Sequence, residues 1–288
     1  MINSAAMRSD QEALLRRRMK TIIVIGLLTL VAVFVLLPIT WTFSTSLRLP
    51  KESYQLPPKW LPTDWQWNNY VEVFNRVPYG RYILNSMIVS VSSVFGQIVT
   101  ATLAAYAFAR LSFPFKRVLF VFLMSGLMIP LFVTIIPVFR LLSSLRLIDT
   151  LWALIVPSLV TPFGVFLLRQ FFLTIPTELE DAAKMDGAGP LRIFWHIFLP
   201  LGAPGIAVMA ILAFNAHWND FFRPFIFLNS QDHYTIPLGI VTLRGPLDTG
   251  ELSVVLAGVA MSLVPMIVLV VFAQRYLVEG IVLTGTKG

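Results

Sequence analysis

The stretch TIIVIGLLTLVAVFVLLPITWTFSTSL, residues 21–47, decides the fold class, because its 27 residues include no aspartate, glutamate, lysine or arginine. An α-helix needs about 20 apolar residues to cross roughly 30 Å of hydrocarbon. The stretch therefore holds one transmembrane helix and is too short for two. It is also too long for the apolar core of a signal peptide, and no A-x-A cleavage site follows it. We expect it to stay in the protein as an uncleaved first span.

Five more windows without these charged residues follow the first, and the shortest of the six has 19 residues. They are residues 82–109, 118–139, 150–168, 193–219 and 252–274. Only 13% of the chain is charged and 57% is hydrophobic, whereas soluble domains carry about 25% charged residues. The sequence predicts an all-α membrane protein with six transmembrane helices, kinked at prolines such as Pro130 within the windows.

The basic residues indicate how the chain is oriented. Six crossings place both termini on one side, and Lys and Arg concentrate on the cytoplasmic side of membrane proteins. The side with the termini carries 13 of the 22 Lys and Arg residues, five of them in the N-terminal tail. We therefore predict a cytoplasmic basic tail at residues 1–20, a membrane domain at 21–280 and a cytoplasmic C-terminal tail at 281–288. The net charge of +7 is then explained by the orientation of the chain in the membrane, and no nucleic-acid partner is expected.

The longest cytoplasmic connection, which we call the coupling loop (residues 174–203), reads as two short helices. Thr177 and Glu180 have the spacing of a capping box, and Gly187 is placed to end the first helix. Pro190 suits the first turn of a second helix. This helix carries an apolar stripe of Leu191, Phe194, Trp195 and Phe198. Periodicity alone leaves two surfaces open for the stripe, the membrane and a groove on a cytoplasmic protein.

Within the coupling loop, the order Asp181-Ala182-Ala183, Gly187 and Ile197-Phe198-Leu199-Pro200 resembles the EAA motif of permease subunits of bacterial ATP-binding cassette (ABC) importers. Asp181 stands where that motif has Glu, which shortens the carboxylate by one methylene. The resemblance implies the type I importer permease fold and a coupling helix that docks into an ATPase subunit. The residues that it assigns to this contact are Glu178, Glu180, Asp181, Ala182, Ala183, Gly187, Ile197, Leu199 and Pro200.

Other motifs resemble the maltose-type sugar permeases, and specifically the smaller of their two paired membrane subunits. These motifs are Pro57-Pro58-Lys59-Trp60, residues 104–110 (AAYAFAR), Trp218-Asn219-Asp220-Phe221 and the terminal Gly285-Thr286-Lys287-Gly288. The resemblance implies a bacterial cytoplasmic membrane protein that forms half of a sugar pathway. Its implied partners are a homologous permease, two ATPase subunits that bind ATP and Mg²⁺, an extracytoplasmic solute-binding protein, and membrane lipid.

The resemblance also suggests roles for two further segments. Residues 229–251 resemble the outer loop that helps to displace sugar from the binding protein, and the C-terminal tail is expected to reach the ATPase interface. A third segment, the first outer loop at 48–81, is rich in Pro, Trp and Tyr. Its aromatic side chains suit either the headgroup zone of the membrane or a docking surface for an outer partner.

Charges near the end of the fifth window have two interpretations. Asp220 lies about 24 Å along a helix from Pro204, which places it near the outer end of that span. Asp220 and Arg223 either pair with each other at the interface, or Asp220 lines the translocation pathway with Trp218 and Asn219. The sequence leaves both interpretations open.

We expect no enzymatic activity in this chain. It has no cysteine, and its three histidines lack metal-ligand spacing. Residues 280–287 read G-x-x-x-x-G-T-K, which misplaces the lysine of a phosphate-binding loop, and no helix follows. No catalytic site, metal or cofactor is therefore assigned to the chain itself.

Two alternative functions remain open. A secondary transporter or channel without an ATPase would carry ionisable groups deep within the spans and internally repeated halves, and neither is evident. An ABC importer for amino acids, phosphate or metal would share the coupling loop but lack the Pro-Pro-x-Trp and terminal glycine motifs.

Overall fold

The computed structural model describes residues 2–54, 59–245 and 251–285, with side chains for 17–53, 59–245 and 251–273. Its helices in chain order are α1 (Ile2–Ser46), α2 (Asn68–Arg76), α3 (Tyr79–Arg110), α4 (Lys116–Ser125), α5 (Leu131–Ser144), α6 (Trp152–Ile155), α7 (Pro162–Thr174), α8 (Thr177–Met185), α9 (Pro190–Ile193), α10 (Leu199–Leu201), α11 (Ala203–Trp218), α12 (Phe222–Phe227), α13 (Ile236–Thr242) and α14 (Leu252–Gly285). Single turns of 3₁₀ helix lie at Pro50–Tyr54, Gly126–Met128, Val156–Ser158 and Gln231–His233, and a π-helical turn lies at Phe194–Phe198.

Four stretches are long and apolar enough to cross a membrane directly: Arg17–Ser46, Tyr79–Arg110, Trp152–Thr174 and Leu252–Ala273. Two bent pairs pass the same test: Lys116–Met128 with Leu131–Ser144, at 103°, and Pro190–Leu201 with Ala203–Trp218, at 72°. With each pair taken as one span, the described part of the chain has the six spans that the sequence predicts. The all-α membrane architecture is confirmed.

The third and fifth spans differ from a single straight helix for identifiable reasons. Pro130 lacks a backbone N–H and has an extended ψ of 140°, so the helix stops before it and α5 begins after it. In the fifth span, the π-helical turn at Phe194–Phe198 precedes Pro200 and Gly202. Prolines and π-turns are the usual causes of sharp helix bends.

The chain divides into two compact units, Met1–Glu72 with Gly250–Ala260 and Val73–Thr249 with Met261–Gly288. In the first unit, the Asn69 side chain ties the start of α2 to the end of α1. Its Nδ2 donates to the Ser46 and Arg48 carbonyls at 2.8 and 2.9 Å. The helix α2 lies within the aromatic-rich stretch at 48–81. Pro57 and Pro58, which belong to the predicted motif, lie outside the described residues.

In the second unit, α3 packs against α7 and α11 through small residues. A Cβ at Gly164 of α7 would lie 2.5 Å from Thr161 Cγ2, 2.8 Å from Met209 Sδ and 3.3 Å from Ala101 Cβ, so a larger residue there would force these neighbours to shift. Apolar burial gains little hydrophobic free energy in lipid, and close contact of small residues is what stabilises such packing. A buried cluster that includes Phe172, Phe194 and Phe198 lies where these helices meet the coupling loop.

Candidate functional site

The first helix of the coupling loop ends as predicted at Gly187. The Gly187 N–H donates to the Lys184 carbonyl at 2.9 Å, and the Ala188 N–H donates to the Ala183 carbonyl at 2.9 Å. This pair of bonds is the Schellman motif, which requires a left-handed residue after the helix. Gly187 supplies it with a φ of +75°. The reversal directs the chain into α9, where Pro190 is in the first turn as predicted.

The predicted capping box at the start of α8 is wrong. Thr177 is the first residue of the helix, Pro176 occupies the N-cap position, and no side chain caps it. Glu180 does not return to the N-cap because its carboxylate is buried against two cations. Lys184 Nζ lies 2.9 Å from Glu180 Oε1, and Arg110 Nε lies 3.9 Å from Oε2. The hydrogen bond donated to Glu180 raises the pKa of Lys184.

Arg110, the last residue of α3, is the key residue that the sequence interpretation missed. Its Nη2 atom donates hydrogen bonds to the backbone carbonyls of Phe172, at 2.7 Å, and of Ile175. Its guanidinium also lies 5.0 Å from the centroid of the Phe198 ring. Together with Glu180, these contacts join α3, the end of α7 and both helical segments of the coupling loop. The sequence signals for Arg110 are its place at the end of a charge-free window and in the motif at 104–110, and neither indicated this role.

The predicted coupling residues divide into an exposed set and a buried set. The exposed residues are Glu178, Asp181, Ala182, Gly187 and Pro200. The residues turned toward the protein are Glu180, which is buried, and Ala183, Ile197 and Leu199, which pack against the apolar cluster. The loop therefore exposes a short acidic surface on one side, and its other side packs against the helices. A cavity of about 240 Å³ between its helices is bordered by Asp186, Arg192 and His196.

The predicted apolar stripe of the second loop helix splits into two faces. Phe194 and Phe198 are buried and contact the Tyr106 ring, at centroid distances of 5.4 and 5.0 Å. Leu191 and Trp195 are exposed, at 68% and 59%. The split follows helical spacing, since each pair is four residues apart. Only the second pair is available to a membrane or to a partner.

The three predicted pathway residues each have a partner within the chain. Trp218 is buried, stacks on Phe214 and donates from Nε1 to the Ser262 carbonyl at 3.0 Å. Asn219 donates to the Asn215 carbonyl at 3.0 Å. Asp220 and Arg223 form the mutual pair that the sequence allowed, with Oδ2 and Nε 2.5 Å apart. Asn219 lies at the surface, whereas Asp220 is largely covered.

A polar network joins this pair to the inside of the helix bundle. Arg223 Nη1 donates a hydrogen bond to Ser158 Oγ at 2.7 Å, and Arg223 Nη2 lies 3.2 Å from His217 Nδ1. His217 Nε2 is 2.9 Å from Gln97 Nε2 on α3. Gln97 and His217 border a mainly apolar cavity of about 340 Å³ beside Gly164. The network is a polar connection between α3, α11 and α12 within the bundle.

The segment after α12, residues 229–234, is held by hydrogen bonds from two different parts of the chain. Asp149, at a φ of +62°, accepts hydrogen bonds from the backbone N–H groups of Asn229 and Ser230 at 2.9 Å and from the Ser230 hydroxyl. His233 Nδ1 is 3.4 Å away. Partial burial alone would raise the pKa of Asp149, but these hydrogen bonds outweigh it and hold the pKa well below its usual range. Across the segment, Asn85 of α3 donates to the carbonyls of Asp232 and Tyr234.

Some predicted features fall outside what the structure describes. Residues 246–250 of the predicted outer loop and 286–288 of the C-terminal tail are outside the described residues, as are the side chains from 274 onward. Among the described residues, no group of three His, Asp or Glu side chains could hold a metal ion.

A family of proteins described as "Binding-protein-dependent transport system inner membrane component" matches residues 97–282. The match begins in α3 and includes the coupling loop and the network around His217. The chain belongs to this family. The resemblance inferred from the coupling-loop motif is confirmed, and the chain is a transport subunit that performs no catalysis.

Curated relatives agree with this assignment. The chain is 36% identical over 222 residues to the arabinooligosaccharides transport system permease protein AraQ of Halalkalibacterium halodurans, covering 77% of this chain and 79% of that protein. It is 34% identical to the probable ABC transporter permease protein YurM of Bacillus subtilis, covering 87% and 83%. It is 30% identical to the sn-glycerol-3-phosphate transport system permease protein UgpE of Yersinia pestis, covering 86% and 91%.

A solved structure has the same fold. It is a bacterial ABC transporter involved in the import of the acidic polysaccharide alginate, and it matches with a TM-score of 0.78 and 25% identity, covering 90% of this chain and 96% of the other. The type I importer permease fold is therefore confirmed. A second alginate transporter structure, in complex with a periplasmic protein bound to an alginate pentasaccharide, matches with a TM-score of 0.61 and 16% identity, which supports the fold alone.

Proposed function

We propose that the chain is one of two permease subunits of an ATP-driven carbohydrate importer in the bacterial cytoplasmic membrane. The observation that carries the proposal is the coupling loop, which Arg110 fastens to α3 and α7 while an acidic surface stays exposed. A loop built in this way moves with the helices to which it is attached. It is therefore suited to transmit movement of a partner protein to the spans.

The partner that moves the loop is an ATPase subunit, and ATP and Mg²⁺ bind to that subunit. Glu178, Asp181, Ala182 and Gly187 form the exposed docking surface, and the small residues allow close approach. Ala183, Ile197 and Leu199 support it from inside, with Pro200 at its end. The excess of Lys and Arg on the same side places this loop, the tail at 1–20 and the tail at 281–288 in the cytoplasm.

The other side of the membrane receives the solute from a binding protein. We assign the segment 229–251 to contact with that protein, and its first residues, 229–234, are held by Asp149 and Asn85. Trp218, Asn219 and Asp220 lie just before it in the chain and are assigned to the outer part of the pathway. Asn219, which is exposed, is the member of this group that is most available to a sugar hydroxyl.

The arabinooligosaccharide relative and the alginate transporter support a carbohydrate as the solute. The sn-glycerol-3-phosphate relative favours a second candidate, a phosphorylated polyol. A ligand screen on the binding protein encoded with this chain distinguishes them. Thermal stabilisation by oligosaccharides alone supports the carbohydrate, and stabilisation by glycerol phosphates alone supports the second candidate.

Reconstitution in proteoliposomes tests the proposal as a whole. Uptake should require this chain, a second permease, the ATPase, the binding protein and ATP together. Uptake by this chain alone would show a secondary transporter or channel and would overturn the proposal. A matched sample with Asp181→Lys should keep the two permeases paired but lose ATPase binding, because the substitution reverses charge on the exposed surface.

A further inference from the structure

Three cations meet in a pocket at the end of the helix bundle that holds the coupling loop. The basic pocket, as we call it, has a volume of about 250 Å³ and is lined by Lys116, Arg117 and Arg169 with the rings of Phe108 and Phe120. Its size is close to the lower bound of about 300 Å³ for small-molecule sites. The end of the bundle is fixed by Arg110, which joins the end of α3 to the carbonyls at the end of α7.

Two of the three cations of the basic pocket are held in place by hydrogen bonds, but none of the three is neutralised. Lys116 Nζ donates to the Leu111 carbonyl at 2.7 Å, and Arg169 Nε donates to the Phe108 carbonyl at 3.1 Å. The Arg169 guanidinium also lies 4.4 Å from the Phe120 ring centroid. Among the described residues, no carboxylate lies within ion-pair distance of any of the three cations. Several N–H donors and three positive charges are thus left for an anion.

The surroundings of the basic pocket identify the kind of anion. The neighbouring side chains Phe115, Val118, Val121 and Phe122 are all more than 60% exposed. They form an apolar surface that begins at the pocket and continues along α4. A free inorganic anion would have no use for this surface, whereas the acyl chains of a lipid would lie on it. Basic pockets between transmembrane helices on the cytoplasmic side are suited to anionic headgroups.

We propose that the basic pocket binds the phosphate headgroup of an anionic phospholipid, with the acyl chains along α4. Lys116 and Arg169 form its inner wall, and Arg117 lies at the exposed rim. The site does not depend on the solute that is carried. It would set the depth of this end of the bundle against the membrane surface, next to the coupling loop.

Native mass spectrometry of the full-length chain in a non-ionic detergent tests this proposal, with phosphatidylglycerol and phosphatidylcholine as the probes. We expect preferential retention of phosphatidylglycerol, reduced about fivefold by Arg117→Gln, because one cation near a charged membrane surface contributes about that factor. Arg117→Lys should restore retention. The control Arg140→Gln removes an exposed arginine of α5 that does not line the basic pocket, and it should have no effect.

The Arg117 side chain makes no hydrogen bond or ion pair with the described residues and is exposed, so its substitution should leave thermal unfolding unchanged. Equal retention of both lipids by the unmodified chain would overturn the proposal, as would unchanged retention in the Lys116→Gln/Arg117→Gln double variant. Displacement of phosphatidylglycerol by an equal concentration of inorganic phosphate would show that the ligand is a free phosphate and would overturn the lipid assignment.

Discussion

At the scale of single residues, the ion pair between Arg110 and Glu180 is the contact with the largest expected effect. Both side chains are only 7% exposed. Removing Glu180 leaves the buried Arg110 guanidinium hydrogen-bonded to two carbonyls but without a counter-charge, and breaking a buried pair in this way costs about 3 kcal/mol. Glu180→Gln should therefore lower the thermal unfolding temperature of the purified protein measurably.

The matched control for this change is Glu178→Gln, two residues away in the same helix and exposed. It should leave the unfolding temperature unchanged, since surface charges contribute at most about 1 kcal/mol. Equal unfolding temperatures for the two variants would show that the ion pairs of Glu180 with Arg110 and Lys184 do not contribute to stability.

Gly187 provides a second prediction at this scale. Nothing lies within 4 Å of the position a Cβ would take there, so a substitution meets strain only from the positive φ. Gly187→Val should cost about 1–2 kcal/mol and disturb the Schellman turn, whereas Gly187→Asn should be tolerated. In reconstituted complexes we expect Gly187→Val to hydrolyse ATP with reduced uptake. Full uptake per ATP in that variant would remove the proposed role of the turn.

Sequence reasoning reaches some of these residues and misses others for a clear reason. The stop at Gly187 and the start at Pro190 follow from local conformational preferences, and both are confirmed. The pairing of Glu180 with Arg110 joins residues 70 positions apart, and no local pattern specifies it. The wrong capping box at Thr177 follows from the same gap, because the tertiary contact removed Glu180 from the cap.

At the scale of elements, the contact of α3, α7 and α11 depends on Gly164. Gly164→Leu should separate these helices, because a side chain would overlap Met209 and Ala101. Overpacking of this kind costs about 1–3 kcal/mol. Gly26→Leu in α1 is the control, since nothing lies within 4 Å of a Cβ at that position. Gly164→Leu should unfold at a lower temperature than Gly26→Leu, and equal unfolding temperatures would contradict the close packing.

The anchor at Asp149 gives a pH prediction. Its native pKa is lowered, so its contribution is complete above the unfolded value of about 3.9 and is lost as the pH falls below it. The protection factors of residues 228–234 against hydrogen exchange, which correct for the pH dependence of the intrinsic rate, should stay constant from pH 5 to 8 and fall below about pH 4. Asp149→Asn should show increased exchange at all these pH values. Asp64→Asn, at an exposed position elsewhere in the chain, should match the unmodified protein.

The six spans show how far the distribution of charged residues along the chain predicts the transmembrane helices. Charge-free windows locate each span, because an unpaired charge in lipid is costly. The windows do not reveal that the third and fifth spans are bent by 103° and 72°. Pro130 indicates a break in the third span. The π-turn at Phe194–Phe198 begins and ends at residues buried in the cluster, and the windows show neither the turn nor the burial.

At the scale of the second unit as a whole, α3 connects its two functional ends. Arg110 at one end of α3 holds the coupling loop, and Asn85 near the other end holds the segment after α12. The 32 residues of the helix separate these contacts along its length. A mutation at one end of α3 should therefore leave the contacts at the other end unchanged.

Asn85→Ala tests this separation. It removes hydrogen bonds to two backbone carbonyls, at 2.9 and 3.0 Å, that fix residues 232–234. We expect normal ATPase binding and basal hydrolysis, with weaker stimulation by the loaded binding protein. Arg81→Gln is the control, because its pair with Asp232 is largely exposed and contributes little. Loss of basal hydrolysis in Asn85→Ala would show that the two ends are not independent.

The position of Arg110 has a consequence for exchanging parts between permeases. The coupling loop is contiguous in sequence, yet its anchor lies in another helix, outside any segment spanning 174–203. A chimaera that takes only this segment from a relative also needs a basic residue at position 110 and an acidic one in its first loop helix. The transplantable module is thus the loop together with one arginine, and specificity for a foreign ATPase should transfer only when both are moved.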